Sequence, residues 1–226
     1  MNNEYDNKNF FDEYAKMPRS REGLSAAGEW HQLKPLFPSV KGKKILDLGC
    51  GLGRHTVLFA ENGFNVSGFD ISKEGIRKTK EWLKNLDLKA DLKVGDMLEL
   101  PYENESFDCI LCRNVISHQD TEGVKQIIKE LYRVLKNNGE CYLTLGSKST
   151  WGFKQDSWPL VDENTRLRME EGPEYKIPHF YADYDLIKEL FKDFKIIFIN
   201  HIEDFYESND KTYSSFHYHV LIKKVD

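Results

Sequence analysis

The feature that most constrains the fold is an alternation that begins at Lys43. "KKILDLG" is a short apolar run, and "RHTVLFAENG" is helical, with Val57, Leu58 and Ala60 apolar and Gly63 as a stop. "FNVSGFD" is strand-like, and "ISKEGIRKTKEWLKNL" is an amphipathic helix opened by Ser72, with Ile76, Leu83 and Leu86 on one side. "ADLKVGD" and "SFDCILCRN" read as the third and fourth strands. "TEGVKQIIKELYRVLKNNG" carries an apolar stripe of Val124, Ile127, Ile128, Leu131, Val134 and Leu135, with Asn138-Gly139 as its end. "ECYLTLGS" is a fifth strand. Strand–helix alternation at this spacing predicts a parallel sheet covered on both faces, a doubly wound α/β fold.

The pattern changes after Ser147. Residues 148–180 carry prolines, tryptophans and many charges with weak periodicity, and read as an insertion with a short helix at Asp162–Glu171. Then "YADYDLIKELFKDF", "KIIFINHIEDFYE" and "YSSFHYHVLIKK" read as helix, strand, strand. The link "SNDKT" suits a hairpin, so the last strand is predicted antiparallel to the one before it. Upstream, "REGLSAAGEWHQLKPLFPS" reads as a helix ended by Pro35 and Pro38, preceded by a further helical turn or two bearing Phe10, Phe11, Tyr14 and Met17. The expected organisation is one domain over 1–226: a helical cap (1–40), a core (41–147), an insertion (148–180) and a C-terminal helix with a strand pair (181–226).

Charge and cysteine usage limit the partners. The net charge is −5 and there is no basic block, which argues against a nucleic-acid surface but not against a single nucleotide in a cleft. No apolar run reaches the length of a membrane span, and the polar N-terminus is unlike a targeting signal, so a cytoplasmic protein without membrane attachment, monomeric or homodimeric, is the expectation. Cys109 and Cys112 form C-x-x-C inside a strand, where side chains three apart face opposite ways; they read as reduced core residues and not as metal ligands.

Gly49, Gly51 and Gly53 separate the first strand from the first helix, a turn that lets a ligand approach the backbone and a helix N-terminus. The dinucleotide pattern G-x-G-x-x-G fails at Arg54. Asp47 repels a pyrophosphate but suits a cation. Asp70, ending the second strand, is placed for both hydroxyls of a ribose. Asp96, after the third strand, can accept from an exocyclic amine such as that of adenine, with Met97 and Leu98 flanking the ring. Ribose, adenine and a non-phosphate cation together specify S-adenosylmethionine.

"ILDLGCGLGRHT", "VSGFDIS", "KVGDMLELPYENESFDCILCRNVISHQ" and "VLKNNGECYLTL" resemble, in order, the motifs of class I S-adenosylmethionine-dependent methyltransferases. Within the family the run "GRHTVLFAENGFNVSGFDIS" is similar to small-molecule enzymes of the ubiquinone/menaquinone and the tellurite-resistance and thiopurine types. The resemblance implies a seven-stranded Rossmann-like sheet whose last strand is antiparallel, and S-adenosylhomocysteine as product. It implies that Gly49, Gly51 and Gly53 shape the turn beside the methionine half, that Asp47 orients that half, and that Asp70 holds the ribose. Ile71 would pack on the adenine, Asp96 and Met97 would bind its edge and face, and Arg113 would offer its carbonyl to the amino group. Tyr14, Met17 and Arg19 would close the cap, with a guanidinium for the cofactor carboxylate.

Methyl transfer from a sulfonium depends mainly on alignment, so the sequence need not show a catalytic constellation. His118 in "NVISHQD" is the candidate base, or it packs against the next helix. His55 reads as structural or cofactor-adjacent, and Arg54 as either a carboxylate partner or a solvated helix start. His217 and His219 share a strand face and read as sheet-surface residues, with no metal site expected. Trp151 and Tyr181 are the expected walls for a small-molecule acceptor, beside His118. The N/D-P-P-Y/F/W run, a Pro-Cys nucleophile and carboxylates just past the fourth strand are all missing, which disfavours nucleic-acid and metal-dependent catechol methylation. A dinucleotide oxidoreductase and a non-catalytic cofactor-binding relative are the rival readings.

Overall fold

Lys44–Leu48 form β1, whose last four residues are buried, because a central parallel strand is covered on both faces. The structure, a computed structural model, describes residues 7–16, 43–171, 174–208 and 211–225. Ahead of β1 lies α1 (Asn7–Lys16). After it come α2 (Arg54–Glu61), β2 (Asn65–Asp70), α3 (Lys73–Asn85), β3 (Asp91–Val94), β4 (Phe107–Cys112), α4 (Thr121–Val134) and β5 (Leu135–Ser147). The insertion contributes β6 (Leu160–Asp162), β7 (Thr165–Leu167) and β8 (Pro178–Ala182), followed by α5 (Tyr184–Leu190), β9 (Phe194–Ser208) and β10 (Lys211–Lys224).

The main sheet runs β3-β2-β1-β4-β5-β10-β9. Its first five strands are parallel, and β10 alone enters antiparallel between β5 and β9, as the hairpin reading predicts. The apolar stripe of α4 packs on one face with Phe107, Ile110 and Cys112; Cys109 and Leu111 face the other layer with Leu58 and Phe59. Cys109 and Cys112 therefore lie on opposite faces, and the four cysteines are buried free thiols. Helix starts are fixed by side chains: Ser72 Oγ accepts from Gly75 N at 2.9 Å and Asp120 Oδ1 from Gly123 N at 2.7 Å. Each such cap stabilises by roughly 1 kcal/mol.

Three sequence expectations need correction. The fourth helix stops at Val134, not at Asn138-Gly139, because the fully buried Leu135 already pairs with Phe107; the turn-prone pair instead forms an irregularity within β5, with Asn138 at φ 65°. The helix expected over Asp162–Glu171 is a β-hairpin. Asp162 accepts from both the N–H and the hydroxyl of Thr121 at 2.8 Å, and Arg166 donates to the carbonyls of Phe153 and Trp158, which holds the segment extended. Tyr181 and Ala182 belong to β8, not to the following helix, so the insertion runs two residues further. They pair with Gly146 and Ser147 along the edge of β5 that β4, ending at Cys112, leaves open. The helix read over 21–39 lies outside the described residues, as do Met17 and Arg19, whereas Phe10, Phe11 and Tyr14 sit on α1 as expected.

Candidate active site

The glycine turn is clasped to the end of β2. Gly49 N and Cys50 N both donate to Phe69 O, and Gly51 N donates to Asp70 Oδ2 at 2.7 Å. Gly49, Gly51 and Gly53 have φ of 73°, 52° and 84°, the left-handed region open to glycine. Their surroundings differ. A Cβ on Gly49 would stand 2.4 Å from Val115 and one on Gly53 2.5 Å from Thr79, whereas one on Gly51 would meet nothing within 4 Å. Gly51 faces open space in a cavity, and the other two are packed against protein.

That cavity lies over the C-terminal ends of β1, β2 and β4, where open α/β sheets bind ligands. Gly49, Gly51, Asp70, Ile71, Asp96, Met97, Arg113 and His118 all line it, and α1 covers it with Phe11 and Tyr14. Asp70 is fixed before any ligand arrives: Oδ2 accepts from Gly51 N and Oδ1 from Ser72 N at 2.8 Å. Each carboxylate oxygen keeps a further lone pair, which suits the two hydroxyls of a ribose. Burial raises the Asp70 carboxyl above its ordinary value, and the two backbone N–H groups pull it back down. Asp96 Oδ1 accepts from Leu98 N at 2.9 Å, which orients that carboxylate in an Asx turn.

Two predicted residues stand elsewhere. Asp47 does not line the cavity; it is buried behind the turn, where Oδ2 accepts from Thr56 Oγ1 at 2.6 Å. Burial raises its carboxyl, opposed by His55 and by the Thr56 bonds. Gly53 is also behind the turn, opening α2. Both support the cavity wall without lining it.

The lid is latched. Asp12 Oδ1, on α1, accepts from Ser72 Oγ at 2.7 Å and from Glu74 N at 3.0 Å, so it sits on the start of α3; Lys78 Nζ donates to Ala15 O. The loop bearing Met97 is held from α4, where Glu130 accepts from Leu100 N and Arg133 donates to the carbonyls of Leu100 and Tyr102.

A second cavity, of about 450 Å³, adjoins the first. Trp151, Trp158, Tyr181 and His179 wall it, with Arg168 and Glu174 from the insertion and His217 from β10. His118 and Asn114 line both cavities. Trp151, Tyr181 and His118, the residues expected at an acceptor, all line it; so does His217, which the sequence reading placed on the sheet surface, with Nδ1 3.6 Å from Asp204. His219 instead meets the Tyr142 hydroxyl. Burial pushes His118 below the usual histidine value, with Glu174 pulling it up and Arg168 pushing it down; His179 is held lower still by burial, His118 and Arg168. Sequence reading missed Arg168 and Glu174. Their stretch, "TRLRMEEGPEYK", looks like a solvated charged helix, and nothing local marks the hairpin that turns them inward.

Residues 45–139 match the family model described as "Methyltransferase domain". The 2-methyl-6-phytyl-1,4-hydroquinone methyltransferase of Synechocystis sp. is 34% identical over 117 residues, 51% of this chain and 35% of that protein. The chain spans half or less of the length of several named curated relatives. Among solved structures, the PH0226 protein of Pyrococcus horikoshii aligns with a TM-score of 0.71 at 24% identity, covering 94% of this chain and 98% of that one. A Methanosarcina mazei structure named among the SAM-dependent methyltransferases aligns at 0.68 and 23% identity, covering 82% and 93%. These two likenesses show the fold. The matched methyltransferase domain spans the glycine turn and the strand-end carboxylates, and with these likenesses it supports the resemblance to class I S-adenosylmethionine-dependent methyltransferases.

Proposed function

We propose that the chain transfers a methyl group from S-adenosylmethionine in the first cavity to a small molecule in the second. The observation that carries this reading is that the two cavities meet at His118 and Asn114, so a donor and an acceptor can face each other across one wall. When bound, the cofactor supplies a methyl group on a positively charged sulfur. The residues fit it: Asp70 offers a fixed pair of acceptors, Ile71 and Met97 flank an apolar slot, Asp96 presents an acceptor at its far side, and Gly51 leaves the room that a side chain would fill.

The chain's own work is orientation and exclusion of water. Alignment of two bound reactants can lower a barrier by about 7–11 kcal/mol in favourable cases. Phe11 and Tyr14 line the first cavity from α1, and Trp151, Trp158 and Tyr181 give the second a set of aromatic walls for a planar acceptor. Aromatic faces also favour a nearby cation. The reading invokes no metal, because a sulfonium leaves as a neutral thioether without a Lewis acid. Buried thiols at all four cysteines support a reducing, cytoplasmic setting.

Calorimetric titration of S-adenosylmethionine, S-adenosylhomocysteine and NAD into wild type and Asp70→Ala tests it. Saturable binding of the two adenosyl ligands, weakened in the variant, is the expected result. Binding of NAD alone would make the chain an oxidoreductase.

A further inference from the structure

The wall shared by the two cavities continues into a chain of ionisable groups. The imidazole of His118 stands edge-on to that of His179, with ring centres 5.0 Å apart and planes at 84°. His179 Nε2 is 3.5 Å from Glu174 Oε2. Glu174 accepts from Arg168, whose other terminal nitrogen donates to Glu170 at 2.5 Å, and the guanidinium lies 5.9 Å from the Trp151 ring centre. One guanidinium with two carboxylates leaves this cluster a single net negative charge behind two neutral imidazoles.

Resting on the methyl-transfer reading above, we propose that the acceptor carries a proton on the atom to be methylated (a hydroxyl, thiol or ring N–H on a planar frame). His118 takes that proton, and His179 with Glu174 positions it. The bond that forms joins the acceptor atom to the methyl carbon. The bond that breaks is carbon–sulfur, whose electron pair stays on sulfur, and the acceptor's proton ends on an imidazole nitrogen of His118. The imidazolium then faces the net negative cluster, so the proton is held in a water-poor site with its charge balanced.

The same charges select the form of the acceptor. A preformed anion has no proton to give, and it finds the Arg168 guanidinium already paired with Glu174 and Glu170. A tertiary amine releases no proton and has no use for a base there. A neutral acceptor with a removable proton satisfies both conditions, and the aromatic walls favour a flat one. The titratable and charged groups facing the histidine pair are Arg168 and Glu174 from the insertion, Tyr181 on β8, His217 on β10, Arg113 beyond β4 and Tyr14 on α1.

Two measurements on the full chain test this. In the first, histidine ¹⁵N resonances are titrated with S-adenosylhomocysteine bound, in wild type, Glu174→Gln and Glu174→Asp. His118 and His179 are expected to titrate as a coupled pair. Glu174→Gln should lower the proton affinity of His118 about tenfold, one pH unit, and Glu174→Asp should restore most of it. An unchanged titration in Glu174→Gln overturns the proposal. In the second, phenol, thiophenol, indole and N,N-dimethylaniline are offered as methyl acceptors. Turnover confined to the first three, with an acidic limb in kcat that moves in Glu174→Gln as the resonances do, supports it. Preferred methylation of the dimethylaniline overturns it. If none of the four reacts, the titration decides alone. Failure to bind S-adenosylhomocysteine at all would strike the methyltransferase reading instead, whereas normal binding with an unshifted titration strikes only the acid–base proposal.

Discussion

The two cavities are built by different means. The first is made of strand ends and a glycine turn: backbone N–H groups fix Asp70, a backbone carbonyl clasps Gly49, and Gly51 contributes only its absence of a side chain. The second is made of long side chains brought by an insertion, the fifth strand and the last strand, and locked by Arg166 and Arg168. A wall of backbone is fixed by local conformation and tolerates little change. One of side chains can be refitted to another acceptor without disturbing the donor site.

The largest effect that can break this contrast is at Gly49. Gly49→Ala combines a left-handed φ with a methyl carbon 2.4 Å from Val115, so a stability loss of about 2–5 kcal/mol is expected in urea unfolding. Gly51→Ala, with open space above it, should lose only about 1–2 kcal/mol and show its main effect as weaker adenosyl binding. Equal stability losses would mean that the turn is not differentiated as described. Next comes Asp70→Ala, expected to weaken S-adenosylhomocysteine binding by ~100-fold, or about 3 kcal/mol for charge-assisted hydrogen bonds. Trp151→Ala should leave that affinity within about twofold, since it belongs to the other cavity; a comparable loss there would merge the two sites. Asp12→Ala removes the latch on α3, and should cost about 1 kcal/mol of stability while speeding adenosyl-ligand release in stopped-flow measurements.

The smallest effect is a pH slope. Burial holds His118 and His179 below their ordinary value of 6.5, so both are neutral in the folded chain where the unfolded chain would be protonated. The stability this confers is present above pH 6.5 and is lost as pH falls toward the folded values. Melting temperature should therefore drop from pH 7.5 to 5.5, and less so in His179→Gln. The depressed carboxyls of Asp12, Asp162 and Asp183 titrate below their ordinary 3.8 and stay out of this window.

The contrast also explains what the sequence made legible. Alternation and the glycine spacing report backbone conformation directly, so the parallel sheet, the antiparallel β10 and the placing of Asp70, Asp96 and Met97 at or just past strand ends are legible in the sequence. Asp47 has the right spacing from the turn, but its side chain points behind it toward Thr56, an orientation that spacing does not report. Arg168 and Glu174 were missed because their placement depends on a hairpin held by partners more than thirty residues away in one case, Thr121 with Asp162, and by backbone carbonyls in the other. Such ties leave no periodic trace.

The position of β10 has a consequence for how the molecule is made. It is the last of the described strands and yet lies inside the sheet, hydrogen-bonded to β5 along one edge and β9 along the other. During synthesis β1 to β5 emerge well before it, yet the core they share with α4 is completed by Tyr218, Val220 and Ile222 of β10. Until residues 211–224 emerge, β5 presents a bare edge to every other nascent chain nearby. The interval between those two moments is when this protein is most exposed to misassembly, and a chaperone has most to protect.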